Sequence, residues 1–532
     1  MAHRRLVYTY NMGPSRTRYS LEYIQNLYDT GQDRSKLENL IRAFRGIQAL
    51  DPKDPNSFFR IAGYHGEPFR GEGATDPSWW GGYCWHATVL FPTWHRAYLL
   101  RLENALRSIP GCQDVTLPFW DELANRGAKP ARPIPSVLTS LGSTSTAEMT
   151  IRSTRTSSRK PWEGGWGSAL QQTRGLRDCL VGTDRDRKET KAHNAGFQDQ
   201  AITTQILNDN VANWLEGTVE ITIDDKDKPT PMPDTYSVYA RYLRCLQAPN
   251  YTVFSNTTSQ NQWIKDAGQD PSSHYVVSLE SPHNAKGVYN ANPILGANGD
   301  MGNNETAGFD PVFYFHHCYI DYVFAVWQRA KGLTKRGSLT LIKNYPGTIL
   351  KEGQPHYPSG TVIEMTTALI PFEKPSGGYY DSNDMTDYEN DLDYTYHLGS
   401  LDPTLRSTID LSTRAPFVLT KRVHDIDRAQ YEGSFIVRLY ARGHDGKEVE
   451  VGREPVLSRW SVKGCSNCMN NLNVESYIPI DATLLKTLQG PGRKEDIEWW
   501  AEVQTRDRLR APRPIGGPAE VMNQRGPSKG EL

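Results

Sequence analysis

The sequence HATVLFPTWHRAYLLRLE, residues 86–103, decides the fold of this chain. It opens with His86, passes Pro92, and then continues as a helix that has His95 near its start. A further histidine, His65, lies upstream in FRIAGYHGEPF. A single histidine is most often a packed or surface residue. Three of them from separate segments can offer neutral imidazole nitrogens, the ligands that suit copper and zinc, so we predict a metal site.

A second stretch, FDPVFYFHHCYID at residues 309–321, predicts another helix running from about Pro311 to Lys331. It carries His317, and His283 lies upstream in SPHNAKG. Helical patterns also extend over three further stretches, 20–50, 198–216 and 234–247. The sequence therefore predicts a mainly α-helical fold.

Composition places the chain among ordinary globular proteins and excludes several classes of partner. Its 532 residues carry 60 Lys and Arg against 61 Asp and Glu, so nothing favours a nucleic-acid or membrane-surface partner. The sequence has no run of about 18 apolar residues, which a transmembrane helix would need. The basic N-terminus lacks the apolar segment of a secretion signal. We therefore expect a cytoplasmic protein that acts on a small molecule.

The length of the chain predicts two domains. We place a catalytic domain at residues 1–400. Around Asp445-Gly446 the sequence SFIVRLYARGHDGKEVEV alternates apolar and polar residues, which predicts a β-hairpin. We therefore expect a smaller β-rich domain at 405–510 that caps the first, followed by a disordered tail at 511–532.

Two signatures carry a resemblance to a known family. The first is matched by His86, Phe91, Pro92, Trp94, His95, Arg96, Leu99 and Glu103. The second is matched by Asp310, Pro311, Phe313, His317 and Asp321. Together with LPFWDE at 117–122 and Tyr394-Thr-Tyr396, they make residues 60–400 similar to the tyrosinase–haemocyanin (type-3 copper) superfamily. The resemblance implies a four-helix-bundle metal core of the type-3 copper fold.

The resemblance also implies a ligand set. In the superfamily, four helices supply six imidazoles, three to each copper, and O2 binds between the two metals. The first-site positions are occupied by His65, His86 and His95. His283 and His317 correspond to the second site. Cys84 matches the cysteine that forms a thioether to a first-site histidine in many fungal relatives, and a plain buried thiol is the alternative.

The second site departs from the superfamily pattern. Its first helix should carry His-Asn-x-x-His, with both imidazoles on one face, but His283 and Asn284 are followed by Gly287 at the second histidine position. The next histidine, His316, is usually not a ligand in the superfamily. Tyr322 stands where an arginine is usual. A complete three-histidine site beside an incomplete one predicts one bound metal, which we expect to be zinc; two copper ions are the alternative.

One branch of the superfamily resembles this arrangement, the haemocyanin-like fungal cyclopenases of quinolone alkaloid biosynthesis. This resemblance implies a zinc-dependent, non-oxidative lyase that converts a cyclopenin-type benzodiazepine epoxide to a viridicatin-type quinolone with loss of methyl isocyanate. His283, His317 and Asn284 would then serve the substrate as proton donors or acceptors. A dicopper tyrosinase or catechol oxidase is the alternative, and a non-catalytic metal- or oxygen-binding protein is the third. A homodimer is left open.

The cysteines predict reduced thiols, because seven is an odd number and they are scattered along the chain. Cys465-Ser-Asn-Cys468 is a single CxxC motif in the β-rich part. Since a second CxxC is missing, a structural zinc site is not expected there. Two interpretations stay open, namely unpaired thiols or a transient metal-loading pair like that of some fungal tyrosinases.

Overall fold

The structure, a computed structural model, describes most of the chain. The described residues are 14–66, 82–125, 127–139, 205, 208–209, 211–213, 215–216, 237–267, 274–290, 304, 307–402, 417–431, 433–459, 462–490, 497–505, 510–513 and 515–516. Within them, no helix combines the length and apolar character needed to cross a bilayer.

Helices dominate the described residues in the first two thirds of the chain. In chain order the described helices are α1 Leu21–Asp29, α2 Ser35–Ala49, α3 Phe58–Gly63, α4 Phe91–Arg107, α5 Ser136–Thr139, α6 Val238–Cys245, α7 Tyr251–Ser255, α8 Thr257–Asp266, α9 Glu280–Asn290, α10 Pro311–Lys331, α11 Ser466–Asn470 and α12 Ala482–Gln489.

The two long helices α4 and α10 pack against each other at the centre of the helical part. Helix α10 begins where the sequence predicts, because Asp310 accepts a hydrogen bond from the Val312 amide at 3.0 Å and Pro311 occupies the first turn. It ends at Gly332, whose left-handed φ of 69° closes the helix. Most side chains of both helices are buried, so the two sequence signatures lie inside the protein.

The other predicted helices differ in detail. The stretch 20–50 forms two helices, α1 and α2, because the chain turns at Gly31 with a φ of 72°. The stretch 234–247 contains α6. In 198–216 only scattered helical positions belong to the described residues.

A buried network of charged and phenolic side chains joins the two long helices. Asp321 of α10 accepts hydrogen bonds from Arg96 Nε of α4 at 2.6 Å and from Arg18 Nη1 at 3.3 Å. Tyr394 and Tyr396 donate to the same carboxylate at 2.7 and 2.6 Å. Burial by itself would lower the pKa of Arg96, but Asp321 raises it above its usual value, so the guanidinium stays charged. The network thus fixes the relative position of two helices that carry histidines.

The strands among the described residues form one short ladder in the helical part and two sheets near the C-terminus. In the ladder, β1 (Arg16–Arg18) runs parallel to β2 (Tyr394–Tyr396). The later strands are β3 Phe417–Asp427, β4 Phe435–Arg442, β5 Glu448–Val456, β6 Asn473–Asp481, β7 Glu498–Gln504, β8 Arg510–Arg513 and β9 Ile515–Gly516. They pair antiparallel in the orders β6-β3-β9 and β5-β4-β7-β8. We call residues 417–516 the C-terminal β region.

The predicted hairpin is present in this region. Strands β4 and β5 flank Asp445-Gly446, and Gly446 has the positive φ, 74°, that the turn requires. Apolar side chains of both sheets share one buried cluster that includes Val423, Val437, Leu439, Val451, Ile478 and Val503. Strand residues occur up to 516, within the stretch 511–532 that was predicted to be disordered, and the later part of that stretch lies outside the described residues.

Candidate metal centre

Six histidine side chains converge in the interior of the helical part. They are the five predicted site histidines and one more: His65, His86, His95, His283, His316 and His317. None is more than 8% exposed. His65 follows α3, His86 precedes α4, and the others lie on α4, α9 and α10. Four helices therefore bring the cluster together.

The three histidines predicted for the first site lie side by side. The ring centroids of His65 and His86 are 5.5 Å apart, those of His65 and His95 are 5.7 Å apart, and those of His86 and His95 are 5.1 Å apart. Imidazoles that bind one ion through nitrogens at about 2.0–2.1 Å place their ring centroids about 5 Å apart. The three rings have the centroid separations of imidazoles around one ion, but the groups whose ligand atoms all lie within 4.8 Å of one another are His65 with Cys84 and His86, and His65 with His95 and His317.

The hydrogen bonding of these rings also fits a metal. The Nδ1–H of His95 donates to the Phe91 carbonyl at 2.8 Å, which leaves the lone pair on Nε2. That Nε2, and both ring nitrogens of His86, are buried without a hydrogen-bond partner among the described residues. Each buried polar atom left unpaired costs about 1–3 kcal/mol. A bound copper or zinc ion would use such lone pairs, so the donor set fits either metal.

Burial keeps five imidazoles of the cluster uncharged. It lowers the pKa of His95 to about 3, and it lowers the pKa of His65, His86, His283 and His317 well below the usual value, with neighbouring imidazoles adding to the effect. At pH 7 these side chains are therefore neutral, which is the protonation state that a metal ligand needs.

The loop before α4 depends on a glycine to bring His86 next to His65. Gly82 has a φ of +84°, and a Cβ there would lie 2.6 Å from the carbonyl carbon of His65. The adjacent Tyr83 amide donates to the Tyr64 carbonyl at 2.7 Å. Only a residue without a side chain permits this approach, so the loop that carries one ligand is tied to the segment that carries the other.

The residue directly after His86, Ala87, has a backbone conformation that is rare for a residue with a side chain. Ala87 has a φ of 57°, in the left-handed region that costs an L-residue about 1–2 kcal/mol. Its amide donates to Glu280 Oε1 at 2.7 Å, and the Thr257 amide donates to Glu280 Oε2 at 2.9 Å. Burial raises the pKa of this carboxyl. Helix α9, which begins at Glu280, thereby helps to hold the loop of the first site.

Two side chains of the C-terminal β region also reach the first site. Arg459 Nη2 donates to the His65 carbonyl at 3.3 Å. Asn467 of α11 donates from Nδ2 to the Cys84 carbonyl at 2.6 Å and accepts from the His86 amide at 3.4 Å. His65 and His86 are the cluster members that lie outside regular helix. The C-terminal β region therefore contacts the two histidine-bearing segments of the site that are not themselves helical.

His283 and His317 face each other in the second half of the cluster. Their Nε2 atoms are 3.2 Å apart, and Nδ1 of His283 lies 3.0 Å from Oδ1 of Asn284. His317 stacks on His95 with ring centroids 4.5 Å apart. Ligand nitrogens of His65, His95 and His317 lie within 4.8 Å of one another. The two predicted halves thus form one continuous cluster.

His316 is the member of the cluster that the sequence analysis set aside. Its ring centroid lies 5.3 Å from that of His283 and 5.4 Å from that of His317. Its Nδ1 lies 2.6 Å from Oε1 of buried Glu122, and Oε2 of Glu122 accepts a hydrogen bond from Tyr242 at 2.7 Å. The sequence signal that could have drawn attention to His316 is the last residue of the LPFWDE motif, Glu122, whose carboxylate lies beside the histidine pair.

Three thiols lie near the first site. The sulfur of Cys84 is within 4.8 Å of ligand nitrogens of His65 and His86. Cys465 and Cys468 of the CxxC motif are both buried, and the Cys468 amide donates to Cys465 Sγ at 3.3 Å. The thioether at Cys84 and the metal-loading role of the CxxC pair stay predictions.

A cavity of about 580 Å³ adjoins the cluster. His86 and Asn284 line it from the helical part, and Asn467 and Cys468 line it from the C-terminal β region. Pockets for small organic molecules have volumes of about 300–1,000 Å³. The cavity therefore has room for such a molecule next to the histidines, between two parts of the chain.

Comparison with known proteins gives the family. The common central domain of tyrosinase matches residues 55–330, a span that contains all six clustered histidines. The chain belongs to the tyrosinase family. The resemblance that the two sequence signatures indicate is therefore confirmed for the family.

Two relatives cover most of this tyrosinase-family chain. Tyrosinase HcTyr2 from Hahella sp. (strain CCB-MM4) is 39% identical over 92% of the chain and 92% of its own length. A tyrosinase from Aspergillus oryzae (strain ATCC 42149 / RIB 40) is 36% identical over 88% of the chain and 90% of its own length. The solved structure of the Burkholderia thailandensis tyrosinase at low pH has a TM-score of 0.69 and 37% identity, and the match covers 92% of the chain and 94% of that structure. The tyrosinase fold is confirmed.

These relatives overturn the predicted function. The zinc-dependent lyase of the cyclopenase type was inferred from Gly287, one position in one motif. Relatives that are 36–39% identical over most of the tyrosinase-family chain are tyrosinases, so the oxidase alternative fits better. Copper, which the family implies, likewise takes the place of the predicted zinc. The prediction was wrong because a single substitution was given more weight than the similarity of the whole chain.

Proposed function

We propose that the chain is a tyrosinase-type phenol oxidase that binds two copper ions and uses O2. The observation that carries this proposal is a cluster of buried imidazoles, five of them with lowered pKa, in a chain whose relatives at 36–39% identity are tyrosinases. Two copper ions, when bound, supply the binding and reduction of O2. Reduction of one O2 to two waters takes four electrons, which two diphenol molecules release as they become two quinones.

His65, His86 and His95 hold the first copper in this proposal. Their mutual ring separations of 5.1–5.7 Å support the assignment. The protein holds the rings in place through neighbouring groups, since the Phe91 carbonyl orients His95. Orienting contacts of this kind set which ring nitrogen faces the metal.

His283 and His317 hold the second copper, which replaces the acid–base role that the lyase prediction gave them. Two nitrogens bound to one ion at about 2.0 Å in a tetrahedral arrangement lie about 3.3 Å apart, close to the 3.2 Å between their Nε2 atoms. Asn284 is a positioning residue, because its amide oxygen accepts the Nδ1 proton of His283 and leaves Nε2 for the metal.

The experiment is a copper titration combined with oxygen uptake. Copper-loaded protein should contain two coppers per chain by elemental mass spectrometry, consume O2 with a diphenol, and form two quinones per O2. His95→Ala should lose the first copper and the oxidation, because the stacked and hydrogen-bonded ring has no substitute. His397→Ala is the matched control, since this half-buried histidine stacks on Tyr23 away from the cluster and should keep both properties.

Two results would contradict the proposal. One is a wild-type chain that saturates with a single copper. The other is a chain that binds two coppers but consumes no O2 with mono- or diphenols, which would leave a binding role without catalysis.

A further inference from the structure

The cavity beside the histidine cluster has charged groups on its wall. Among the described residues that line it are three carboxylates and three cations, namely Glu280, Glu454, Glu475, Lys265, Lys351 and Arg428. Charges that are paired within the protein have little effect on a ligand, whereas unpaired charges of one sign attract a ligand of the other sign. The partners of these six groups therefore determine which substrates the cavity favours.

The three carboxylates already bind groups of the protein. Both oxygens of Glu280 accept hydrogen bonds from backbone amides, at 2.7 and 2.9 Å. Glu454 forms an ion pair with Arg241 at 2.6 Å. Glu475 forms an ion pair with Arg422. The negative charges on the cavity wall are therefore engaged inside the protein and oppose an anionic ligand only weakly.

The three cations are not paired in this way. Within the described part of the chain, no carboxylate lies at ion-pair distance from Lys265, Lys351 or Arg428. The two lysines are exposed, and Lys265 has a longer-range attraction to Glu475. Arg428 is half-buried, and Nη1 donates to the Leu457 carbonyl at 2.5 Å, the one hydrogen bond that its side chain forms with a described residue. Its guanidinium therefore keeps donors for a ligand in the cavity.

Arg428 also lies close to the loop that carries His86. It is near enough to Glu280 for an electrostatic interaction, and Glu280 accepts a hydrogen bond from the amide of Ala87, the residue after His86. Arg428 interacts in the same way with Cys468, another residue of the cavity wall. The metal end of the cavity and the guanidinium are therefore separated by one buried carboxylate, so a single small phenolic acid can contact both.

We propose that the chain selects phenols that carry a carboxylate, and that Arg428 binds this carboxylate while Lys265 and Lys351 attract it to the cavity. The inference rests on the proposed oxidase function and names its substrate class. A guanidinium suits this role because its hydrogen bonds to a carboxylate are charge-assisted and stronger than neutral ones. Since Arg428 begins the short 3-10 helix after β3, the C-terminal β region takes part in choosing the substrate.

The experiment compares oxygen uptake by the copper-loaded chain with dihydrocaffeate, a diphenol that carries a carboxylate, and with its uncharged methyl ester. Wild type should have the higher kcat/KM with the acid, through a lower KM. This preference should shrink as salt rises from about 0.01 M to about 1 M, because the screening length falls from about 30 Å to about 3 Å. Equal kcat/KM values for acid and ester at low salt would overturn the inference. Failure to oxidise either diphenol would instead refute the proposed function.

Substitutions of the cations locate the effect. Arg428→Gln should reduce the preference for the acid about tenfold or more, because a hydrogen bond to a charged group is lost, and the change should appear in KM rather than in kcat. Arg428→Lys keeps the charge and should keep most of the preference, which a purely structural role of the side chain would not explain. An acid preference in Arg428→Gln equal to that of wild type would overturn the inference.

A double variant covers a folding defect in Arg428→Gln. Lys265→Gln combined with Lys351→Gln changes two exposed side chains, and each exposed charge pair that is lost should reduce the preference up to about fivefold. Lys53→Gln is the matched control, since this exposed lysine does not line the cavity and should match wild type. If Arg428→Gln does not fold, an unchanged preference in the double variant would overturn the inference.

Discussion

Replacement of Asn467 by alanine tests whether the C-terminal β region is part of the first copper site. The Asn467 amide donates to the Cys84 carbonyl at 2.6 Å and accepts from the His86 amide at 3.4 Å. It therefore pairs with the backbone on both sides of Trp85, much as a neighbouring strand would. The variant removes both contacts, together with the contacts of the same side chain with Gln354 and with Cys84 Sγ, and leaves every histidine in place.

We expect the affinity for the first copper to fall about 5- to 150-fold. The contact with the Cys84 carbonyl is short and buried, and a buried acceptor left unpaired costs about 1–3 kcal/mol. The 3.4 Å contact is too long to add much. A change of about 1.4 kcal/mol corresponds to tenfold in a binding constant. Most of the cost falls on the copper-bound state, because the loop can shift toward water only when it is not fixed by the metal.

The assay is a titration against a chelator of known copper affinity, which resolves the two binding steps. Asn471→Ala is the matched control on the same segment. Its side chain accepts a hydrogen bond from Thr258 of α8 at 3.1 Å and donates to the Asn467 carbonyl at 3.1 Å, so it also bridges the two parts of the chain, yet it does not contact the ligand loop. Equal first-site affinities in Asn467→Ala and Asn471→Ala would refute the reasoning.

Three further predictions concern stability, measured by urea unfolding of the metal-free chain. Gly82→Ala should lower the free energy of unfolding by more than about 2 kcal/mol, because its positive φ costs about 1–2 kcal/mol and the new Cβ would meet backbone at 2.6 Å. Gly111→Ala has a similar φ but open space around the Cβ, so equal losses at both sites would contradict the steric argument. Asp321→Asn should cost about 3–5 kcal/mol, because it takes the carboxylate away from buried Arg96, whereas Asp391→Asn at an exposed ion pair should cost at most about 1 kcal/mol. Glu22→Gln should match wild type at pH 4 and be more stable at pH 8. Burial and a neighbouring carboxylate raise the pKa of Glu22 from 4.5 to about 8. Between pH 4.5 and pH 8 the unfolded chain therefore loses a proton that the folded chain keeps, and the free energy of unfolding of wild type falls by up to about 1.4 kcal/mol per pH unit. Parallel pH profiles of the two chains would show that the carboxyl titrates normally.

The parts of the fold that the sequence predicts well are those with local signals. Helix α10 runs over Pro311–Lys331 as predicted, because an N-cap aspartate followed by a proline marks its start and a glycine marks its end. The helical pattern over 20–50 did not show the break at Gly31, since apolar spacing continues on both sides of that turn. Periodicity predicts which face of a segment is buried, and it says little about where one helix stops.

The sequence motifs predicted which histidines lie together, and they gave no sign of the supporting groups that come from distant parts of the chain. His65, His86 and His95 gather as expected. Arg459 and Asn467 lie more than 370 positions from the backbone they contact, and no pattern in the sequence links such positions. The function prediction failed for a different reason, because one departing position, Gly287, was weighed above the similarity of the whole chain to tyrosinases.

The contacts of Arg459 and Asn467 have a practical consequence for work with fragments of this protein. A fragment cut at the limits of the common central domain, residues 55–330, would contain all six imidazoles. It would nevertheless lack both side chains that contact the loop and turn bearing His65 and His86. Chimeras and minimal enzymes built from this family member should therefore keep the C-terminal β region from the same parent, since a foreign one would have to supply an amide and a guanidinium at matching positions.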